Sequence, residues 1–215
     1  MSQYRAVPKS YIPNPLFLTD NNGNGEVMAI GIEEWIERAK AGDPEAFEPV
    51  IRMTQQKLYR YCRFVLMDDQ EAEDAVQDIL FKAYRHLGSY RGGNAMSWLY
   101  KIAATHCATL LRKKGRRERL MSMLSAMSGG TEKSAEQAFA DSAGVRLDWL
   151  GRLSPAEREI VVLRVLADMP FEEIARVAGI RPPAARKRYE RAKAKLQQNY
   201  SKVREVVYHE RGYEC

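Results

Sequence analysis

The sequence predicts an all-α protein built as two helical domains joined by a flexible linker. Three observations carry that expectation. Apolar residues recur every three or four positions through long stretches of the chain. No segment of any length alternates with the period of a strand. Small polar residues from Ser128 to Gly144 separate two helical patterns that each have their own start and stop signals.

The elements follow in order. Residues 1–31 are rich in Pro, Asn and Gly and read as a disordered arm. Asp20, Asn22, Asn24 and Gly25 imitate the start of a calcium loop, but such a loop needs a bidentate Glu where Gly31 stands. From Ile32 the chain reads as helical, with Phe47, Val50, Ile51, Thr54, Leu58, Tyr61, Cys62 and Val65 on one mostly apolar stripe. Asp68 and Glu71 have the spacing of a capping pair for a helix that buries Ala72, Ala75, Val76, Ile79, Leu80, Ala83 and Leu87. Gly88 ends it. After a turn from Ser89 to Asn94, a third helix starts near Met96 and buries Trp98, Leu99, Ile102, Ala103, His106, Cys107 and Leu110. Its pattern allows Gly115 to Met127 to prolong it.

The first domain is thus expected over 32–119 and the linker over 120–145, with a second domain over 146–198 and a tail over 199–215. Ser154, Pro155 and Glu157 combine a capping box with proline at the first helical position. Ile160 to Leu166 is the body of that helix, and Asp168-Met169-Pro170 breaks it. A short helix from Phe171 to Val177, a bend at Gly179 and a basic helix then make a helix-turn-helix, the shape that enters a DNA major groove. In the tail, Val203, Val206 and Val207 at helical spacing fit either a further helix or a docking segment.

Charge is unevenly spread. The formal net charge is +6, with dense basic clusters at Arg112–Arg119 and Arg181–Lys195; the latter sets seven Lys or Arg against one carboxylate, Glu190. The remainder is net acidic, notably from Asp68 to Asp78. Basic clusters on an acidic body imply polyanion contact at chosen faces and a separate protein-binding surface. No run approaches the ~20 apolar residues of a membrane span, and residues 1–30 lack the order of a secretory signal. A cytoplasmic protein with no membrane insertion is expected. Cys62 and Cys107 lie on apolar stripes and read as buried free thiols, and with Cys215 they are too scattered for a disulfide framework or a zinc site. His86, His106 and His209 show no ligand spacing, and neither a phosphate loop nor a nucleophile elbow is present. The expectation is a non-enzyme without metal or cofactor.

Three faces carry the candidate chemistry. Asp74, Gln77, Asp78, Phe81 and Arg85 share one surface of the second helix, away from its apolar stripe. A phenylalanine ringed by acids and an amide reads as a protein contact, unless Phe81 folds under Leu87 or a neighbouring helix. The third helix turns Lys101, Thr105, Ala108 and Arg112 outward, running into Lys113 and the basic cluster. Cations there suit phosphates, and short polar groups suit base edges. In the preceding turn, Arg91 and Asn94 flank two glycines at a place that could hold an unstacked base.

The stretches DDQEAEDAVQDILFKAYRHL, YRGGNAMSWLYKIA, LSPAEREIVVLRVLADMPFEEIARVAGI and KRYERAKAKL, in that order, resemble an extracytoplasmic-function sigma factor. These are small two-domain promoter-recognition subunits of bacterial RNA polymerase, and the likeness runs from about Ile32 to Gln198. It implies that 32–119 opens the −10 promoter element and that 146–198 reads the −35 element. It further implies that Asp74, Gln77, Asp78, Phe81 and Arg85 grip core polymerase. Arg91, Asn94, Lys101, Thr105, Thr109, Arg112 and Lys113 would meet the melted strand. Arg181, Ala184, Arg186, Lys187, Arg188 and Arg191 would meet the −35 duplex, and Trp98 with Leu99 would anchor the third helix. The implied partners are core polymerase, promoter DNA and an inhibitory anti-sigma protein. The chain departs from the pattern at Thr105 and Thr109, where Asn and Asp are frequent. It departs again at Arg181-Pro182-Pro183 in place of a small polar cap, and at Ala185 in place of a larger aliphatic residue. The competing reading is a free-standing helix-turn-helix regulator that binds paired half-sites as a dimer.

Overall fold

The computed structural model of the chain describes residues 31–127 and 148–210. The arm expected over 1–31 and most of the linker expected over 120–145 lie outside the described residues.

Four helices make the first bundle: α1 (Ile32–Lys40), α2 (Phe47–Leu66), α3 (Asp69–Arg85) and α4 (Ala95–Met127). Asp43 accepts the backbone N–H of Glu45 and sets the short 3-10 turn that leads into α2. α2 stops at Met67, which takes a left-handed φ of 63°. The chain re-enters a helix at Asp68, whose carboxylate accepts the Glu71 N–H at 2.8 Å, the cap that the spacing predicts. Between α3 and α4 the turn uses Gly92 and Gly93 at φ of +84° and +82°, a conformation open to glycine at little cost. The core is filled by Val50, Leu58 and Tyr61 of α2, Ile79 of α3 and Leu99 of α4, all essentially without solvent exposure. Cys62 and Cys107 meet across α2 and α4 as buried free thiols with their sulfurs 3.8 Å apart. Trp98 sits at the edge of this core, tilted against Tyr90 at 5.4 Å and donating from Nε1 to Ser89 Oγ at 3.2 Å.

The second unit holds α5 (Asp148–Gly151), α6 (Pro155–Val165), α7 (Phe171–Ala178) and α8 (Pro182–Glu210). The capping box at Ser154 forms on both sides: the Glu157 N–H reaches Ser154 Oγ, and the Ser154 N–H reaches Glu157 Oε2 at 2.9 Å. Lys195 of α8 donates to the same carboxylate at 2.7 Å. That ammonium and the cap hold the Glu157 carboxyl down to about 2 against the opposing cost of burial. Gly179, at φ +67°, bends the chain between α7 and α8. The helical backbone of α8 continues without a break through the tail to Glu210.

A small private core of Leu150, Leu153, Val161 and Ala192 is not where most of this unit's apolar surface goes. Ile160, Val162, Leu163, Ile174 and Ala185 join the same buried cluster as the first bundle. α6 packs on α2 and α7 packs on α4, so the two units close onto each other.

Candidate nucleic-acid interface and partner face

The outer face of α3 is open. Asp74, Asp78 and Arg85 are exposed and Gln77 is half-buried. Phe81 keeps half of its surface in solvent, so it does not fold under Leu87. The Arg85 guanidinium lies over it, 5.7 Å from the ring centre. Beneath this face, buried His106 of α4 accepts a hydrogen bond from Lys82 Nζ at Nδ1 and turns Nε2 toward Asp78, 3.6 Å away. Burial, with the nearby Lys82 ammonium, lowers its pKa. A neutral imidazole thus ties α3 to α4 and fixes the relation between their outer faces.

Along α4 the expected polar residues form a ladder. Thr105 Oγ1 donates to the Lys101 carbonyl and Thr109 Oγ1 to the Thr105 carbonyl, each at 2.9 Å. Arg112 then donates to Thr109 Oγ1 at 3.1 Å. Each hydroxyl keeps acceptor capacity toward the surface. Arg91, Arg112 and Lys113 are exposed. The start of the helix is built by Asn94, whose Oδ1 accepts the Ser97 N–H, and by Glu33 of α1, which accepts the Ala95 N–H.

Two members of this face are already engaged. Lys101 Nζ donates to the Arg176 carbonyl at 3.1 Å and to the Val177 carbonyl at 2.8 Å, at the C-terminal end of α7. Asn94 Nδ2 donates to Glu173 Oε2 at 3.3 Å, and Ser97 Oγ donates to the same oxygen at 2.6 Å.

Arg181, just before α8, and Ala184, Arg186, Lys187 and Arg191 on it are exposed; this is the helix that the sequence assigns to the major groove. Arg186 lies over the Phe171 ring at 5.3 Å, which restrains the guanidinium without removing it from solvent. Arg188 is half-buried and acts on Glu159. Burial pushes the Glu159 carboxyl up, while Arg188 and Lys101 pull it down. Pro182 and Pro183 occupy the first turn of α8, where missing N–H groups cost no helical bond. Ala185, small as it is, is fully buried.

The residues that sequence reasoning missed are those that join the two units. Arg158 is 8% exposed, and its NH1 donates to the Val65 carbonyl of α2 at 2.8 Å while NH2 holds the Leu153 carbonyl. Its place at helical spacing with Val161 and Val162 was a readable sign of burial. Ser97 and Glu173 carry no local signal, because their meaning depends on a contact 76 positions apart.

Comparison with known proteins gives a consistent result. Residues 50–117 match the family described as Sigma-70 region 2, and residues 147–196 match Sigma-70, region 4. The RNA polymerase sigma factor CarQ of Myxococcus xanthus is 31% identical over 175 residues, covering 80% of this chain and 95% of CarQ. The ECF RNA polymerase sigma factor BldN of Streptomyces coelicolor is 29% identical over 150 residues, 68% of this chain and 57% of BldN. Against two of the curated relatives, BldN among them, the chain spans about half of the relative's length. Among solved structures, the sigma factor RpoE of Bartonella quintana, in complex with the anti-sigma factor NepR, matches with a TM-score of 0.56 and 25% identity. That match covers 71% of this chain and 94% of RpoE.

Proposed function

The chain belongs to the sigma-70 family as a small extracytoplasmic-function member, and from that membership and the geometry above we infer how each of its faces is used. The bundle over 32–119 docks on core polymerase through Asp74, Gln77, Asp78, Phe81 and Arg85. The same bundle opens the −10 element, with Arg91, Arg112 and Lys113 on phosphates and Asn94, Lys101, Thr105 and Thr109 facing the separated strand. The unit over 146–198 lays α8 into the −35 major groove. There Arg181, Arg186, Lys187, Arg188 and Arg191 supply cations, and Ala184 allows close approach. The segment over 120–145 spans the two. The chain acts in the cytoplasm and catalyses no reaction of its own. Its contribution is to make polymerase choose a start site.

The observation that carries this reading is the bare Phe81 face on α3, pinned through His106 to the polar ladder on α4. A free-standing regulator has no need for a protein-binding face rigidly indexed to a strand-binding one. RpoE of Bartonella quintana is held by an anti-sigma factor, and an inhibitory protein partner is expected here too. Purified core polymerase supplied with this chain and a genomic template library should produce RNA species that core alone does not make. If no new transcripts appear, the reading fails.

A further inference from the structure

We propose that His106 is a positioning residue for the polymerase-docking face, and that a proton taken up there draws Asp78 out of that face, so that docking weakens as the pH falls. This rests on the docking role inferred above for α3, and extends it from what the face binds to what controls it.

Helical spacing puts His106 with Ala103, Cys107 and Leu110 on the inner stripe of α4, and sets Asp78 and Lys82 one turn apart on α3. Packing of α3 on α4 brings the three together. His106 keeps 7% of its surface exposed, and its Nδ1 accepts from Lys82 Nζ. A neutral ring that accepts at Nδ1 carries its hydrogen on Nε2. That Nε2 is buried and without a hydrogen-bond partner, and the Asp78 carboxylate stops 3.6 Å away. A buried donor with nothing to bond is costly. The missing acceptor is close: an approach of about 0.8 Å would bring Asp78, an exposed side chain, to a charge-assisted hydrogen bond.

Protonation exchanges the two partners. With hydrogens on both nitrogens the ring has no acceptor left, so the Lys82 ammonium loses its bond and meets a like charge. The imidazolium Nε2–H binds the Asp78 carboxylate instead. The acid turns inward and the lysine outward. The docking face then shows a cation where it had offered an acid, and a surface complementary to the first arrangement fits the second poorly. The charged groups acting on the imidazole are Lys82 and Asp78 from α3 and Lys113 from α4 itself. α2 and α7, which also pack on α4, add no such group among the described residues. Burial, Lys82 and Lys113 oppose the proton and Asp78 favours it, with a net lowering from the ordinary 6.5. The ring is therefore neutral at neutral pH, and the exchange falls on the acid side of 6.5. Docking holds Asp78 outward, so it also expels the proton, the reciprocal of the same coupling.

The affinity of the full chain for core polymerase, read by fluorescence anisotropy from pH about 7.5 to about 5.5 at fixed ionic strength, tests this against His106→Gln. Gln accepts and donates without titrating, and the titration of core itself is common to both. Across that range the parent should lose about tenfold more affinity than His106→Gln. Lys82→Met, a change at an exposed position, removes an opposing charge. It should move the midpoint of the parental fall upward by about 1 on the pH scale. In the free chain, a ring-nitrogen NMR titration should place the His106 midpoint below 6.5, and Asp78→Asn should lower it further; His106→Gln identifies the signal among those of His86 and His209. Equal pH slopes for parent and His106→Gln, an unmoved midpoint in Lys82→Met, or a His106 that takes up no proton before the bundle unfolds would each overturn the proposal. A parent that does not associate with core at the alkaline end overturns the docking role of α3 instead, and the response of the NMR midpoint to Asp78→Asn still decides whether His106 and Asp78 exchange a proton-linked bond.

Discussion

The outer faces of α3 and α4 belong to one bundle and are tied by the same buried imidazole, yet they are in opposite states. On α3, Phe81 is half exposed, with acids and Arg85 around it. On α4, Lys101 and Asn94 are bonded to α7. The difference has a physical root in side-chain chemistry. A lone aromatic among charges is satisfied by any partner that buries it, whereas an ammonium and an amide find substitutes for DNA in the carbonyls and carboxylate of the chain itself. One face is ready for a protein and the other is reserved.

The comparison can be broken at its shared scaffold first. Leu99→Ala removes a fully buried side chain from α4 and should cost about 2–5 kcal/mol in denaturant unfolding, with polymerase and DNA binding falling together. Separate losses would mean that the faces do not share a frame. Next, Phe81→Ala with Asp78→Ala should weaken association with core by about 2 kcal/mol or more, roughly thirtyfold, at unchanged melting temperature. Co-purification with core at parental levels would break the assignment of the open face.

Glu157→Gln probes the second unit apart from both faces. The folded carboxyl sits at about 2, below its ordinary value of 4.5, so its stabilisation is present above that ordinary value and fades as pH falls toward 2. The substitution should remove about 1.5–3 kcal/mol at neutral pH. It should also flatten the loss of stability between pH 4.5 and 2, read from denaturant midpoints across pH; an unchanged acid limb would contradict it. The smallest effect separates two arginines of α8. Arg186→Ala, at an exposed position, should lower duplex affinity by about 1–3 kcal/mol if it reads a base. Arg188→Ala should cost less, because that half-buried side chain also answers Glu159. Equal losses in a titration of the cognate duplex would refute the ranking.

Much of the fold was legible because local rules decide it. The caps at Asp68 and Ser154, the bend at Gly179 and the apolar stripes of α2, α3 and α4 are each specified within a few residues. The α3 face was legible too, since helical spacing alone sets Asp74, Gln77, Asp78, Phe81 and Arg85 on one side. The engagement of Lys101 and Asn94 was not. It depends on Glu173 and on the free carbonyls of α7, groups with no sequence signature as partners and separated from α4 by a long connection. The proline-rich start of α8 looked like a departure, yet it is physically neutral where the first N–H groups lack partners. The small residue at Ala185 was readable as unusual, while its complete burial was a matter of how closely α8 approaches its neighbours.

The sulfurs of Cys62 and Cys107 face each other at the centre of the first bundle, where hydrogen bonding between them and burial push the Cys62 thiol upward and leave it unreactive. The described second unit contains no cysteine. With Cys215 replaced, the rate at which an alkylating reagent consumes these two groups is therefore a clock for breathing of the first bundle, including any that follows release of the second unit packed on it.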